Sequence, residues 1–360
     1  MDIDSRPIYL VTFDTADYGD ESAKEHVQEF RSSGLAAQPV QWSRRPNQPS
    51  QSVHVDPNFL PLHIADGNSE LGNQSTYPAI YIFFCPNDPL YYADRGMKDF
   101  GKWFGFLSSN KLKEWLIITI TDKSKKISSR NSVATKLKND FSIDFFDHLY
   151  DLPSDYEAYP GTLQALNVKL RNAVIRVFNA TLDAMDNRAE KLAANQQDKD
   201  WDFMNYFLCM EEIASLYSCM SLYEEALECM EKAENCLSSA LADAAGNGVN
   251  RWVRDLLSNS CENLLDDPTI ISTYASPQRV ERVRRRKANL FELRAHILTR
   301  ECALLQALDR ITELPAFAVR NIRLCTKEAR DLKASPFPLH RPLFSFLKRT
   351  YLDLAYGRMD

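Results

Sequence analysis

In the first half of the chain, short runs of apolar, β-branched and aromatic residues alternate with amphipathic stretches. Runs at residues 8–13, 79–85 and 114–121, with a weaker one at 145–149, have the length of buried strands. Between them, residues 97–107 and 132–141 carry helical spacing, the second through Val133, Leu137 and Phe141. This β-α-β-α order predicts a mostly parallel sheet in a small α/β domain over residues 1–160. Residues 38–74 are rich in Pro, Asn, Gln and Ser and predict a long surface excursion before the second strand.

After Tyr159-Pro160-Gly161 the strand signal stops, and residues 161–360 read as an all-α solenoid. A long helix is expected over about 162–195, where Leu166, Leu170, Val174, Val177, Phe178 and Leu182 recur at steps of three and four. It should bridge the two halves. Asp200 is placed to cap the helix that follows. Residues 201–236 then carry small and large apolar residues at the spacing of a tetratricopeptide-like helix pair. Met210, Ala214, Tyr217, Tyr223, Ala226, Met230 and Ala233 are its candidate packing residues. Small Ala214 and Ala226 would let two helices approach closely, while the tyrosines and Met230 fill the space around them. Position 238, often Pro in that pattern, is Ser, and only one clear repeat is seen.

Further on, residues 252–257 form a short apolar patch of undetermined type. Ser276-Pro277 opens a helix expected to run unbroken over about 278–309, and another covers 317–332. The last residues, HRPLFSFLKRTYLDLAYGRMD, read as the start of one more helix without a closing cap. The solenoid is therefore expected to continue past Asp360.

Composition narrows the function classes. Hydrophobic residues make up 44% and charged residues 26%, a globular balance. A formal net charge of -6 makes nucleic acid a poor partner. No apolar run reaches membrane-spanning length, and the acidic start MDIDSRPIYLVTF lacks the basic region of a secretory signal. Eight cysteines without any C-x-x-C spacing read as small buried hydrophobes, which fits a reducing cytoplasm.

Candidate chemistry is sparse. The turn after the first strand, DTADYGDESAK, has one glycine and four acidic residues where a phosphate would sit, and no phosphate-loop motif. In TITDKSKK only Asp122-Lys123 survives of a guanine-reading pattern. His26, His54, His63, His148, His296 and His340 lie in no nucleophile-base arrangement and read as structural. The pairs Glu211-Glu212 and Glu224-Glu225 read as solvated on the polar face of the hairpin. No catalytic, cofactor-binding or metal-binding residue is expected. The run RVERVRRRK should present Arg282, Arg285 and Arg286 as one cationic helix face. Such a face is solvated, or meets an acidic protein or an anionic membrane surface.

Several blocks together resemble the family of large subunit 10 of the trafficking protein particle (TRAPP) complex. They are Gln41-Trp42-Ser43-Arg44-Arg45, EWLIITITDKSKK, SVATKLKNDF, WDFMNYFLCMEEIASLYSCMSLYEEALECMEKAE and RKANLFELRAHILTRECALLQAL. The resemblance implies a non-catalytic scaffold in a vesicle-tethering complex, with a degenerate GTPase-like α/β domain followed by a solenoid. It implies partners among the other TRAPP subunits, including a small core subunit. It also implies Rab (Rab11-like) GTPases met through the assembled complex, at Golgi membranes. An atypical nucleotide-binding protein and a membrane-surface adaptor are the competing expectations.

Overall fold

The computed structural model describes residues 9–13, 39–44, 50–53, 58–62, 64–65, 68–69, 79–122, 132–141, 148–155, 160–196, 198, 200–247, 250–258 and 277–332. The turn at 14–24, His26, His54, His63, Cys261, His340 and the last predicted helix lie outside the described residues. The chain divides into two compact units, one from Arg6 to Thr181 and one from Leu182 onward.

The first unit is built on a five-stranded parallel sheet. Its strands are β1 (Tyr9–Phe13), β4 (Asn58–Leu62), β7 (Ala79–Pro86), β8 (Trp115–Thr121) and β9 (Leu149–Pro153), in the order β4-β1-β7-β8-β9. The register aligns Tyr9 with both Asn58 and Ala79, Tyr81 with Trp115, and Ile117 with Leu149. Numbered by parallel strand this is 2-1-3-4-5, a doubly wound order whose switch point lies between β1 and β7. Strands β7 and β8 are buried almost end to end, as a sheet covered on both faces requires.

The predicted excursion is only partly a surface loop. It holds β4, which adds an edge to the sheet, and two small antiparallel pairs. These are β2 (Val40–Trp42) with β3 (Gln51–Val53), and β5 (Ile64–Ala65) with β6 (Asn68–Ser69). The Pro in NFLPL masked β4 in the sequence, and an edge strand tolerates Pro where a central one does not. The last strand also lies later than its weak signal, at Leu149–Pro153.

Alternation along β7 sends Tyr81, Phe83 and Cys85 to one side. There they join Phe100, Trp103 and Leu107 of α1 (Met97–Ser109) and Val133 and Leu137 of α2 (Val133–Phe141). The rings interlock, with centroids 5.5 Å apart for Phe83–Phe100 and 4.6 Å for Phe100–Phe141. Helix α3 (Pro160–Ala194) is continuous, and the division between units falls inside it, not before it as expected. The physical reason is that its first half is fastened to the α/β unit. Asn179 accepts from the Trp42 indole at 2.9 Å, Arg176 pairs with Glu114 at 3.0 Å, and Phe178 packs edge-on against Trp42.

The second unit contains α4 (Phe203–Cys219), α5 (Tyr223–Asn247), α6 (Arg251–Ser258), α7 (Pro277–Arg284), α8 (Leu290–Ala307) and α9 (Leu314–Asp331). Asp202, not Asp200, caps α4, accepting from the Met204 amide at 2.9 Å. The apolar patch at 252–257 is α6, which buries Trp252, Val253 and Leu256. The single helix expected over 278–309 is two, because the backbone turns left-handed at Arg286, φ 57°. There Lys287 N–H reaches the Arg282 carbonyl and Arg286 N–H the Val283 carbonyl, closing the end of α7. Asn289 and Glu292 then open α8 with a reciprocal capping box.

Lys111, Ser221 and Asp309 end α1, α4 and α8 in the same left-handed conformation, each with a 6→1 bond across the turn. Glycine normally fills such positions, because a side chain there costs about 1–2 kcal/mol. Ser221→Gly is therefore expected to stabilise the fold by about 1 kcal/mol. Ser221→Val, β-branched at the same φ, should destabilise it. Urea titration followed by circular dichroism reads both, and a less stable Ser221→Gly would contradict the strain.

Candidate functional site: a helical hairpin over a buried ionic core

In a doubly wound sheet a ligand sits beyond the carboxyl ends of the strands, and anions favour the helix N-termini there. On the described part of this edge the chain supplies its own acceptors. Asp88, just past β7, caps the short helical turn Pro89–Tyr91, taking the amides of Leu90 and Tyr91 at 2.8 and 3.4 Å. Asn87 takes the Val133 amide at the start of α2 at 2.9 Å and donates to the Thr121 hydroxyl at 2.8 Å. Asp151 accepts from Thr119 at 2.9 Å and also from Thr121. A phosphate at either helix start would have to displace a side chain already bonded to it.

The helical unit holds the candidate packing residues. A short turn through Met220, Ser221 and Leu222 joins α4 to α5, and the two helices pack on each other. Met210, Ala214 and Tyr217 of α4 are buried, as are Ala226, Met230 and Ala233 of α5, whereas Tyr223 is half-buried. Ala214, Ala226 and Ala233 have no exposed surface, so no larger side chain fits without moving the facing helix.

Helix α8 packs against α5, α7 and α9, and the surprise lies on it. It buries Glu292, Arg294, His296, Thr299, Arg300 and Glu301 beside its leucines. His296 Nε2 meets Glu211 of α4 at 2.5 Å, and Arg300 donates to Ser215 at 3.0 Å. Glu211 is thus buried, which corrects its expected place on a solvated face. Burial raises its carboxyl, but the His296 hydrogen bond and charge, with Arg300 behind, hold it down at about 2. Its neighbour Glu212 is partly exposed, 3.9 Å from Arg188, and Glu224 lies on the surface, 3.0 Å from Arg310.

Two residues before His296, Arg294 is 1% exposed and binds Glu328 of α9 through two nitrogens, with Ser238 of α5 at 2.8 Å and Glu234 at 3.6 Å. Ser238, at the position where the repeat pattern often has Pro, is therefore a hydrogen-bond acceptor for the core. Glu234 also accepts from Asn321 at 2.9 Å and from Arg320. Glu301 is fully buried, and neither of its oxygens has a hydrogen-bond partner. Burial, reinforced by Glu234, pushes its carboxyl up to about 8.

The basic run does not form one helical face. Helix α7 stops at Arg284, so Arg285 and Arg286 lie in the turn beyond it. Each of the three arginines holds a carboxylate of this chain: Arg282 with Glu292 at 2.8 Å, Arg285 with Glu281 at 2.5 Å, and Arg286 with Asp202 at 2.9 Å. The sequence pattern missed Arg294, Arg300, Glu301, Glu234 and Glu328. A signal was present: at about 100° per residue, Arg300, Glu301 and Arg294 fall on the same face of the 290–307 helix as Leu293, Ile297 and Leu304.

Reactive groups are muted. Burial pushes the free thiols of Cys85, Cys219, Cys229, Cys302 and Cys325 up to about 12, so at neutral pH they are not nucleophiles. His148 Nδ1–H donates to the Trp115 carbonyl at 2.8 Å, and its ring stacks on that of Trp115 with centroids 3.9 Å apart. Among the described residues no cluster of three His, Cys, Asp or Glu could hold a metal ion, and no helix is long and apolar enough to cross a membrane.

A family model described as "Trafficking protein particle complex subunit 10-like, N-terminal" matches residues 13–196, just over half of the chain. The chain belongs to this family. The subunit 10-like match runs from the end of β1 to just past the end of α3. Similarity to individual relatives goes further. Trafficking protein particle complex subunit 10 of Homo sapiens is 26% identical over 336 residues, 89% of this chain and 26% of that protein. The Mus musculus protein of that name is 24% identical over 336 residues, again 89% of this chain and 26% of the relative. The Drosophila melanogaster one is 21% identical over 287 residues, 76% of this chain and 25% of the relative. The chain spans about a quarter of the length of these relatives.

Glu301 yields a pH dependence. It faces Glu234 and Glu231 of α5, Arg320 of α9 and Arg294 of its own helix. Between the ordinary carboxyl value of about 4.3 and about 8, the folded chain holds a proton that the unfolded chain releases. Its contribution to stability is therefore present at low pH and lost as pH rises through about 8. Glu301→Gln is expected to flatten this slope, raising the melting temperature at pH 9 relative to wild type by a few degrees and by less at pH 6. Parallel slopes for the two proteins in thermal melts would refute it.

Proposed function

We propose that this chain is a non-catalytic scaffold in a vesicle-tethering complex of the trafficking protein particle type. The observation that carries the reading is the family match over residues 13–196, together with relatives of one name aligned across 89% of the chain. In this reading the α/β unit is a degenerate GTPase-like domain that retains the layered sheet without the phosphate chemistry. The self-capped helix starts at Asp88 and Asn87 support that role. The helical unit, with its tetratricopeptide-like hairpin, presents a rigid surface to sibling subunits, among them a small core subunit. Nucleotide exchange on Rab (Rab11-like) GTPases belongs to the assembled complex, on the cytoplasmic side of Golgi membranes.

Protein docking is favoured over membrane docking by the fate of the basic run. Arg282, Arg285 and Arg286 are each engaged by a carboxylate of the same chain, which weakens their pull on anionic lipid.

Size exclusion of the chain mixed with each purified small core subunit of the complex is expected to give co-elution with at least one. Failure with all of them would remove the scaffold reading. Calorimetry with GTP and GDP in magnesium should give no binding heat, and saturable heat would replace the scaffold by a nucleotide-binding protein.

A further inference from the structure

Helix α9 has two unlike faces. Leu314, Ala318, Asn321 and Glu328 are buried, with Asn321 and Glu328 bonded into the ionic core. On the other side, Pro315, Ala316, Val319 and Leu324 line an open groove of about 500 Å³, with Arg320, Arg323 and Lys327 completing its wall. From Pro315 to Lys327 the groove follows about three helical turns, roughly 18 Å at about 1.5 Å per residue. A solvated outer face would be polar throughout, and this one has an apolar floor.

The cations along it differ in kind. Arg320 is bonded to Glu234, and its guanidinium lies 4.5 Å from the centre of the Phe317 ring, so it is a wall of the groove. Arg323 and Lys327 are exposed and make no ion pair with any described residue. They sit four residues apart, one turn along the same edge. An apolar floor with two unpaired cations one turn apart complements a helix with an apolar stripe and carboxylates at i and i+4 beside it.

Resting on the scaffold reading above, we infer that this groove seats an acidic amphipathic helix of a partner subunit. The partner's apolar side chains fill the space over Val319 and Leu324, and its carboxylates pair with Arg323 and Lys327. Charge argues against the chain's own final segment as occupant. Residues 333–360 carry Lys333, Arg341, Lys348, Arg349 and Arg358 against Asp353 and Asp360, five minus two, a net +3 with His340 neutral. That segment would bring like charge to the two cations.

The test places a photo-crosslinking benzoylphenylalanine at Val319 of the full chain and irradiates it with each purified small core subunit in turn. The expected product joins position 319 to a helical segment of the subunit that has carboxylates three or four residues apart. In parallel, the double variant Arg323→Glu/Lys327→Glu should weaken binding at least about tenfold and reduce its salt sensitivity. Arg254→Glu, an exposed cation on α6, should change it less than about twofold. Both positions in the double variant are exposed, and unchanged circular dichroism melts exclude unfolding as the cause. A complex that forms normally with the double variant overturns this inference and leaves the scaffold reading standing. So does crosslinking to residues 333–360, to a second copy of the chain, or to a segment without carboxylates. If wild type binds no subunit, both fall together.

Discussion

Charges on α8 are carried into the interior, and the arrangement of its neighbours follows from the need to meet them. Arg294 has almost no contact with water, so Glu328, Ser238 and Glu234 must converge on it from α9 and α5. His296 and Arg300 impose the same demand on α4 through Glu211 and Ser215. Removing one member of such a pair costs about 3–5 kcal/mol, because the other charge stays buried alone. Apolar packing would tolerate α8 sliding or turning by a fraction of a turn. Directional bonds to three other helices do not, and they fix the geometry of the unit.

The α/β unit is ordered by a different constraint. Two strands buried on both faces need cover from both sides, and the aromatic cluster of Phe83, Phe100, Trp103 and Phe141 supplies it on one. At the opposite level of detail, the ends of β7 and β8 are joined by Asn87, Thr121 and Asp151. The doubly wound frame persists while the edge that usually handles ligands is knitted together by the chain's own polar groups. Frame and chemistry are separable in such folds, since function resides in the site and not in the architecture.

Much of this was legible from residue patterns, for definite reasons. Continuous apolar runs marked β7 and β8, and three-and-four spacing marked α1, α2, α3 and the hairpin, because burial leaves a period in the sequence. Strand β4 was not legible: its proline and polar surroundings imitate a loop, and only its parallel partner β1 makes it a strand. The break between α7 and α8 was hidden because the left-handed residue is arginine, where glycine would have announced it. Glu211 looked solvated because its partners, His296 and Arg300, come from far along the chain. Pairing across such distances leaves no local mark, and the basic run was misjudged likewise, since Asp202 answers Arg286 from 84 positions away.

That separation has a consequence for the order in which the helical unit can be made. Glu211 precedes both His296 and its neighbourhood by 85 residues, and Arg300 answers Ser215 across the same interval. At about 5–20 residues per second, a ribosome adds Glu211 roughly 4 to 17 seconds before it delivers the groups that neutralise it. Throughout that time the carboxylate has only water to turn to, so the nascent hairpin stays open on the side where α8 will lie. The α7–α8 corner has no such delay, because Arg282 and Glu292 emerge ten residues apart. It can form as soon as it is synthesised and arrive at the waiting hairpin already folded.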